Sequence, residues 1–334
     1  MAASGAPQPG APGQDEAGPE GARPGGEELP GGKELDGAAA VFTQVRPQLF
    51  GIVYRMLGSV AEAEDVLQDT WIRWHTTDRS VVRNPQAFLT TTTTRLAINV
   101  LQSAHTRRET YTGPWLPEPV DTTHDPALGA EQAEALDVAV LVLLERLTPT
   151  ERAAYVLREA FDYAYADIAD IVQLSQAAAR QLVSRARKHI ASGKRSTVLA
   201  GKRRALLDAF VAAARIGDLA GLEQLFTEDV VSRADSGGVV RPAARVPVVG
   251  RRKVARLLQA YAERFWSGVT AIPLEVNGHS AAGLERDGEL FCVLTLTASD
   301  AGVDEVLWQM NPGKLGPVRR GRSGAAGQAA GPVQ

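Results

Sequence analysis

The segment from Tyr165 to Ile190 has the residue types and the spacing that would read and bind a nucleic-acid duplex. A short apolar helix is followed by Gln173-Leu174-Ser175, where Ser175 is a candidate N-cap for a second helix. Apolar residues at three- and four-residue spacing face inward on this second helix: Ala179, Leu182, Val183 and Ala186. The pattern is typical of a helix-turn-helix.

The outer face of the second helix carries the groups that base edges and phosphates require. Between Ser175 and Arg204 the chain has nine Lys or Arg and no Asp or Glu. Arg and Gln pair with guanine and adenine edges, and neighbouring cations neutralise phosphates. The predicted base contacts are Arg180, Gln181, Ser184 and Arg185, and the predicted phosphate contacts are Arg187 and Lys188, joined by Ser175. The alternative is an ordinary basic, solvated face of a helical bundle.

A second group of polar residues lies on a predicted helix from Ala61 to about Trp74. Ser59 and Glu62 form the capping-box pattern at its start. Asp65, Gln68 and Asp69 are spaced at i, i+3 and i+4 and therefore share one face. This compact acidic face fits a basic partner; the alternative is an ordinary acidic surface patch.

Bulk composition limits the class of protein. The 334 residues allow two or three domains, and the net charge of −3 hides an acidic N-terminus and a basic centre. The single cysteine, Cys292, permits neither a disulfide framework nor a Cys-rich metal site. With no secretory signal and no apolar run of ~18 residues, we expect a cytoplasmic protein without a membrane span.

Composition also divides the chain. Residues 1–38 contain ten Gly and six Pro, so we predict a disordered extension. The run from Gly113 to Pro119 cannot be helical and predicts an extended linker. The predicted parts are the extension 1–38, a helical module 39–110, the linker 111–127, a second helical module 128–197, an α+β domain 198–317 and a flexible tail 318–334.

The α+β domain is predicted from helical segments followed by strand-like runs. Helices are expected at 203–216, 219–226 and 250–266, and strands at 229–234, 245–249, 270–276, 281–285, 289–297 and 303–310. Asn277-Gly278 and Asp287-Gly288 separate strand pairs and are strong hairpin signals. Helices with a curved antiparallel sheet define this fold class.

Four motifs in this order resemble a sigma factor of bacterial RNA polymerase, of the extracytoplasmic-function class. They are Ala61 to Trp71, Arg83 to Leu89 with Arg95 to Asn99, the linker, and the helix-turn-helix. The linker Gly113-Pro114-Trp115-Leu116-Pro117-Glu118-Pro119, together with the C-terminal domain, is similar to the SigJ-type subgroup. The resemblance covers about residues 40–317.

The resemblance implies a role for each module. Asp65, Gln68 and Asp69 would dock on the clamp of the largest subunit of core RNA polymerase. The third helix would melt and contact the −10 promoter element, through Asn84, Arg95, Asn99, Arg107 and Arg108. Trp74 and Tyr111 are candidates for base stacking, and the recognition helix would read the −35 element. The linker would pass near the polymerase active centre, although Trp115 could equally plug a groove on its own protein. No cofactor, metal or enzymatic activity is implied, and no anti-sigma factor can be inferred.

The C-terminal domain resembles a SnoaL-like, ketosteroid-isomerase-like cone around an apolar pocket. Possible general acids or bases are Asp229, Asp235, His279 and Tyr261, which no spacing forces together. In the SigJ-type subgroup the resemblance implies regulatory contacts in cis, here at Asp235, Gly237, Gly238, Asn311, Lys314 and Leu315. The sequence departs from that pattern at Ser236, Val239 and Gly313, which puts the charge-based contacts of the loop in doubt.

Several alternatives stay open at this point. The C-terminal domain can be an enzyme, a pocket for a small-molecule ligand, or a plain clamp or spacer in cis. The whole chain can be a promoter-recognition subunit, a cyclase- or isomerase-like enzyme tethered to DNA, or a one-component repressor. The acidic face at Asp65 to Asp69 argues against the repressor, which needs no polymerase contact.

Overall fold

The structure, a computed structural model, describes residues 32–109, 111–122, 138–193, 198–240 and 243–319. These ranges form two helical modules, an extended linker between them and a C-terminal α+β domain. The fold class predicted from the sequence is therefore confirmed. Below, the first module is residues 32–109, the linker 111–122, the second module 138–193 and the α+β domain 198–319.

The first module contains three helices: α1 Gly32–Leu57, α2 Val60–Thr76 and α3 Pro85–Glu109. The predicted cap of α2 is confirmed, because the Ser59 hydroxyl accepts a hydrogen bond from the Glu62 backbone N–H. The three helices pack around buried side chains that include Leu49, Leu67 and Leu89.

The start of α1 corrects one prediction. Ala38 is buried, and its carbonyl accepts a hydrogen bond from the indole of Trp74. Because this contact ties the beginning of the helix to the module, the prediction of disorder is wrong for residues 32–38. Residues 1–31 lie outside the described part of the chain.

The second module contains four helices: α4 Val138–Leu144, α5 Pro149–Phe161, α6 Tyr165–Val172 and α7 Gln176–Gly193. Thr148 and Glu151 form a reciprocal capping box at the start of α5, as their spacing predicts. Gln173 ends α6 in the left-handed conformation, with φ of 58°, and turns the chain into α7. The predicted start of a helix at Leu128 lies outside the described residues, and that helix ends at Leu144 rather than Leu147.

The α+β domain packs three helices against one mixed sheet. The helices are α8 Ala200–Ile216, α9 Leu219–Leu225 and α10 Arg251–Trp266. The strands are β1 Phe226–Asp235, β2 Val248–Val249, β3 Val269–Val276, β4 His279–Arg286, β5 Glu289–Ser299 and β6 Gly302–Gln309. Their order is β2-β1-β6-β5-β4-β3. The prediction of an antiparallel sheet is wrong for β1 and β6, which are parallel, while the other pairs are antiparallel.

Both predicted hairpin turns are present. Asn277 and Gly278 have φ values of 54° and 74°, and Asp287 and Gly288 have 53° and 78°. These are the positive values that tight two-residue turns need. The predicted strand at 245–249 is wrong over its first three residues, because Pro247 has no N–H to donate and only Val248–Val249 pair with β1.

The chain stays packed beyond the predicted end of the domain. Val318 is fully buried with Leu315, Val276 and Val293 on the face of the sheet away from the helices. Arg319 donates two hydrogen bonds to the carbonyl of Leu290. A flexible tail from residue 318 is therefore wrong for Val318 and Arg319, and residues 320–334 lie outside the described residues.

The two helical modules share a hydrophobic core, whereas the α+β domain has a core of its own. Ile52 and Leu57 of α1 belong to the same buried cluster as Leu157 of α5 and Val183 of α7. Among the described helices, none is both long and apolar enough to cross a membrane.

Candidate functional site

The acidic face of α2 is exposed on the outside of the first module. Asp65, Gln68 and Asp69 all point to solvent, while Val66 and Leu67 between them are buried. The neighbouring acid Glu64 is held by Arg46. Because the predicted docking residues lie together on a rigid helix, a partner can meet them as one surface.

Of the predicted −10 residues, the structure describes the side chains of Asn84, Arg95 and Asn99, and these three do not form one exposed surface. Asn84 caps α3 through its side-chain oxygen, and Asn99 is exposed one turn after Arg95. Arg95 instead donates hydrogen bonds to the carbonyls of Asp170 and Ile171, at the end of α6. The side chains of Arg107 and Arg108 lie outside the described residues.

The aromatic candidates for base stacking are both engaged inside the protein. Trp74 is buried, with 2% of its surface exposed, and packs at 5.7 Å from Phe88. Tyr111 points into the α+β domain, where its hydroxyl binds Asp235. Neither ring is available to a base in this arrangement.

The recognition helix α7 exposes the predicted DNA contacts on one side of the second module. Its N-cap is confirmed, since Ser175 Oγ accepts a hydrogen bond from the Ala178 N–H. The side chains that point outward are Arg180, Gln181, Ser184, Arg185, Arg187 and Lys188. Ala179, Val183 and Ala186 are fully buried beneath them, which fixes the side that faces out.

Three of these arginines are positioned by residues of the preceding helices. The guanidinium of Arg180 lies over the ring of Tyr165, 5.4 Å from its centre. Arg187 donates two hydrogen bonds to Glu159, at 3.1 and 2.7 Å, and this carboxylate raises the pKa of the guanidinium. Arg185 lies 3.5 Å from Glu151. The structure therefore shows Arg187 in an ion pair, whereas Lys188 makes no hydrogen bond or ion pair with the described residues.

The linker is held against the α+β domain by one buried carboxylate. Asp235 is fully buried and accepts hydrogen bonds from the Tyr111 hydroxyl, the Leu116 backbone N–H and the Lys314 ammonium. Burial is the main cause that raises the pKa of Tyr111, so its phenol stays protonated and donates. We call this set the linker clamp: Tyr111, Leu116, Asp235 and Lys314.

The cation of the linker clamp also covers the linker's tryptophan. Lys314 Nζ lies 4.2 Å from the centre of the Trp115 ring and donates a second hydrogen bond to the Leu116 carbonyl at 2.7 Å. Gln309 Nε2 donates to the Pro117 carbonyl at 3.1 Å. Trp115 therefore lies in a groove of its own protein, which is one of the two placements that the sequence left open.

The other regulatory candidates shape the same groove. Asn311 donates to the Tyr111 hydroxyl at 2.8 Å, and Leu315 is buried. A Cβ on Gly238 would lie 2.9 Å from the Cβ of Thr112, and one on Gly237 would lie 2.7 Å from the Asn311 amide. Both glycines have positive φ, so close approach of the linker and backbone conformation require glycine here.

The opposite side of the linker is bound by the first module. Glu118, only 6% exposed, accepts hydrogen bonds from Ser59 Oγ and from the Val60 N–H at the start of α2. A carboxylate at a helix N-terminus is electrostatically favourable. Gly58 completes the contact, because a Cβ there would lie 2.6 Å from the Trp115 ring.

A direct bond between the first module and the α+β domain passes through Tyr54. Its hydroxyl donates to the Glu118 carbonyl at 2.6 Å and accepts from Asn277 Nδ2 at 2.7 Å. Burial raises the pKa of Tyr54, which keeps the donor proton in place. Asn277 also brackets Val120, accepting from its N–H and donating to its carbonyl. Tyr54, Glu118 and Asn277 were not predicted as contacts from the sequence, where the Asn-Gly turn at Asn277 indicated only a hairpin.

The acid–base candidates of the α+β domain are not brought together. Asp235 faces the linker, Asp229 is exposed on β1, and His279 begins β4. Tyr261 alone among the four lines the apolar cavity under the sheet. The described residues thus supply no acid–base pair within that cavity.

Residues 41–107 match the family model for sigma-70 region 2, and residues 137–190 match the model for sigma-70 region 4. These matches cover the acidic face of α2 and the recognition helix, and they identify a sigma-type transcription initiation factor.

Similar proteins indicate which class of sigma factor this chain belongs to. The chain is 37% identical over 233 residues to the ECF RNA polymerase sigma factor SigJ of Mycobacterium tuberculosis, covering 68% of this chain and 74% of SigJ. It is 27% identical over 297 residues to the probable ECF RNA polymerase sigma factor SigI from the same species, covering 85% and 97%. The crystal structure of the M. tuberculosis extracytoplasmic function sigma factor SigJ matches with a TM-score of 0.67 at 34% identity, covering 84% of this chain and 98% of that one. The chain belongs to the extracytoplasmic-function family of RNA polymerase sigma factors.

Membership of this family settles the class of activity. Sigma regions 2 and 4 bind core RNA polymerase and promoter DNA, so the protein initiates transcription and is not an enzyme. The alternatives of a tethered cyclase and a one-component repressor are thereby excluded as readings of the whole chain.

Proposed function

We propose that the C-terminal α+β domain controls this sigma factor in cis, by holding the linker in a groove where core polymerase cannot use it. The observation that carries the proposal is the linker clamp, in which Asp235 and Lys314 bind the linker from the α+β domain. Glu118, on the same linker, binds the first module, so the linker connects the first module with the α+β domain. Gly237, Gly238, Asn311 and Leu315 shape the groove and complete the regulatory set.

The proposed roles of the sigma modules follow the placement of their side chains. Asp65, Gln68 and Asp69 dock on the clamp of the largest polymerase subunit. The −10 element is contacted by Asn84, Arg95, Asn99, Arg107 and Arg108. The −35 element is contacted by Ser175, Arg180, Gln181, Ser184, Arg185, Arg187 and Lys188. As core polymerase is the partner, we place the protein in the cytoplasm.

Opening of the two modules is a necessary step in this scheme. Arg95 satisfies two carbonyls at the C-terminus of α6, so the second module occupies a residue assigned to the −10 element. Tyr163 of the second module likewise bonds Gln48 and Thr90 of the first. Separation of the modules frees Arg95 for the promoter and allows the linker to leave its groove.

The linker clamp is tested by the Asp235→Asn variant. The substitution keeps the side-chain size but removes the negative charge that pairs with buried Lys314, and breaking a buried ion pair is strongly destabilising. We expect the affinity for core polymerase to rise by at least about tenfold, equivalent to about 1.4 kcal/mol, measured with purified proteins.

The matched control is Glu305→Gln, which removes a partly buried ion pair with Arg233 in the same sheet without touching the linker. It should leave polymerase affinity unchanged. An Asp235→Asn protein that folds normally by circular dichroism and binds polymerase no better than the parent protein would refute regulation through the linker clamp.

A further inference from the structure

The α+β domain contains a cavity whose described lining residues all belong to that domain. It lies between α10 and the inner face of β1 and β6, and it has a volume of about 160 Å³. Its walls include Leu258, Phe265, Trp266, Trp308 and Met310. A cavity of about 150 Å³ lined by apolar side chains is large enough to bind benzene.

The chemistry of the walls selects an uncharged aromatic ligand. None of the described lining residues is charged. Phe265 meets Trp266 and Trp308 edge-on, with ring centres 5.4 and 5.5 Å apart, so faces and edges of rings surround the space. Tyr261 stands at the rim with 41% of its surface exposed. A flat ring system can pack its faces and edges against such walls.

One polar group is aimed into this apolar space. Ser232 is buried on β1, and its Oγ accepts a hydrogen bond from the Trp308 indole at 3.1 Å. No acceptor for the hydroxyl proton of Ser232 is found among the described residues. A ligand that carries an oxygen can take that proton, because buried donors are costly to leave unpaired.

We propose that this cavity binds a small, uncharged aromatic molecule of one or two rings with one oxygen function, and that the bound ligand strengthens the hold of the α+β domain on the linker. The second half rests on the proposed function of the linker clamp. The ligand acts as a signal and not as a substrate, since Asp235 faces the linker instead of the cavity.

The cavity and the linker clamp are connected through adjacent residues in two segments of the chain. Ala234 lines the cavity and precedes Asp235, while Met310 lines it and precedes Asn311. The two segments are joined by the hydrogen bond from the Met310 N–H to the Asp235 carbonyl, at 2.7 Å. A ligand that packs on Ala234 and Met310 therefore stabilises the backbone that presents the linker clamp.

Binding is tested by calorimetry on the full chain with 2-naphthol and naphthalene as probes. We expect a dissociation constant for 2-naphthol on the order of 10–100 µM. Ser232→Ala should weaken 2-naphthol by about threefold to tenfold and leave naphthalene unchanged, because only 2-naphthol carries the oxygen. Retained naphthalene binding also shows that this variant is folded.

A cavity-blocking variant separates specific binding from adsorption. Ala244→Phe places a ring at the cavity, whereas Ala209→Phe places the same ring on the exposed side of α8. Binding should be lost in Ala244→Phe and kept in Ala209→Phe. Absence of calorimetric binding to the parent protein, or equal binding to both variants, would overturn the proposal.

The regulatory half is tested by the affinity for core polymerase at saturating 2-naphthol. We expect a decrease of about threefold or more in the parent protein and no change in Ala244→Phe. Binding of 2-naphthol without any effect on polymerase affinity would overturn this half. The proposed function of the linker clamp fails by a different result, namely an Asp235→Asn protein with unaltered polymerase affinity. In that case the calorimetric evidence that the cavity binds 2-naphthol remains valid.

Discussion

Replacing Asp65 and Asp69 together by alanine should abolish binding to core RNA polymerase. Both carboxylates are exposed on one face of α2, with Gln68 between them in the sequence. Neither carboxylate forms an ion pair with the described residues. Close charge pairs across an interface couple by about 1.5–7 kcal/mol, so loss of two should cost more than about a hundredfold in affinity. Co-elution and fluorescence titration with purified core enzyme measure the effect.

The matched control replaces two exposed acids elsewhere, Asp208 on α8 and Glu263 on α10. This double variant has the same net charge as Asp65→Ala/Asp69→Ala, so it corrects for general electrostatic attraction. If both double variants bind polymerase equally well, the acidic face of α2 is not the docking surface.

The second large effect is expected on promoter recognition. Arg180 is exposed, and its guanidinium is positioned over the ring of Tyr165. Arg180→Ala should cost about 1–3 kcal/mol on the cognate −35 element and relax the preference at one base pair. Lys188→Ala should instead weaken all sequences and reduce the salt slope of binding by about 1.

The two variants serve as controls for each other, because each removes one positive charge from the same face of α7. Binding to duplexes with single substitutions in the −35 element, measured over a range of salt, separates the two effects. A uniform loss across sequences for Arg180→Ala would remove it from the base-reading residues.

Local patterns in the sequence predicted the elements that local physics determines. The capping box at Thr148, the N-caps at Ser59 and Ser175 and the two hairpin turns are all present. Each depends on residues only a few positions apart, so side-chain chemistry and backbone preference are sufficient. The order of the modules could be predicted for the same reason.

The contacts among the helical modules, the linker and the α+β domain could not be predicted from local sequence patterns. Tyr54 and Asn277 are 223 positions apart, and Glu118 is buried only because two separate bodies close on the linker. Arg95 has the residue type of a DNA contact but is bound to carbonyls of the second module. At the C-terminus, composition predicted a mobile tail, yet Val318 fills an apolar gap on the sheet. Tertiary packing decides such positions.

Hydrogen–deuterium exchange of the linker tests the central claim most directly. In the free chain the amides of Leu116, Glu118 and Val120 donate to Asp235, Gly58 and Asn277, and they should exchange slowly. On addition of core polymerase we predict that the exchange rate of the peptide containing these amides changes. The exchange rates of peptides from the core of the α+β domain should stay the same. Identical exchange of the linker in the free and polymerase-bound protein would contradict the release of the linker.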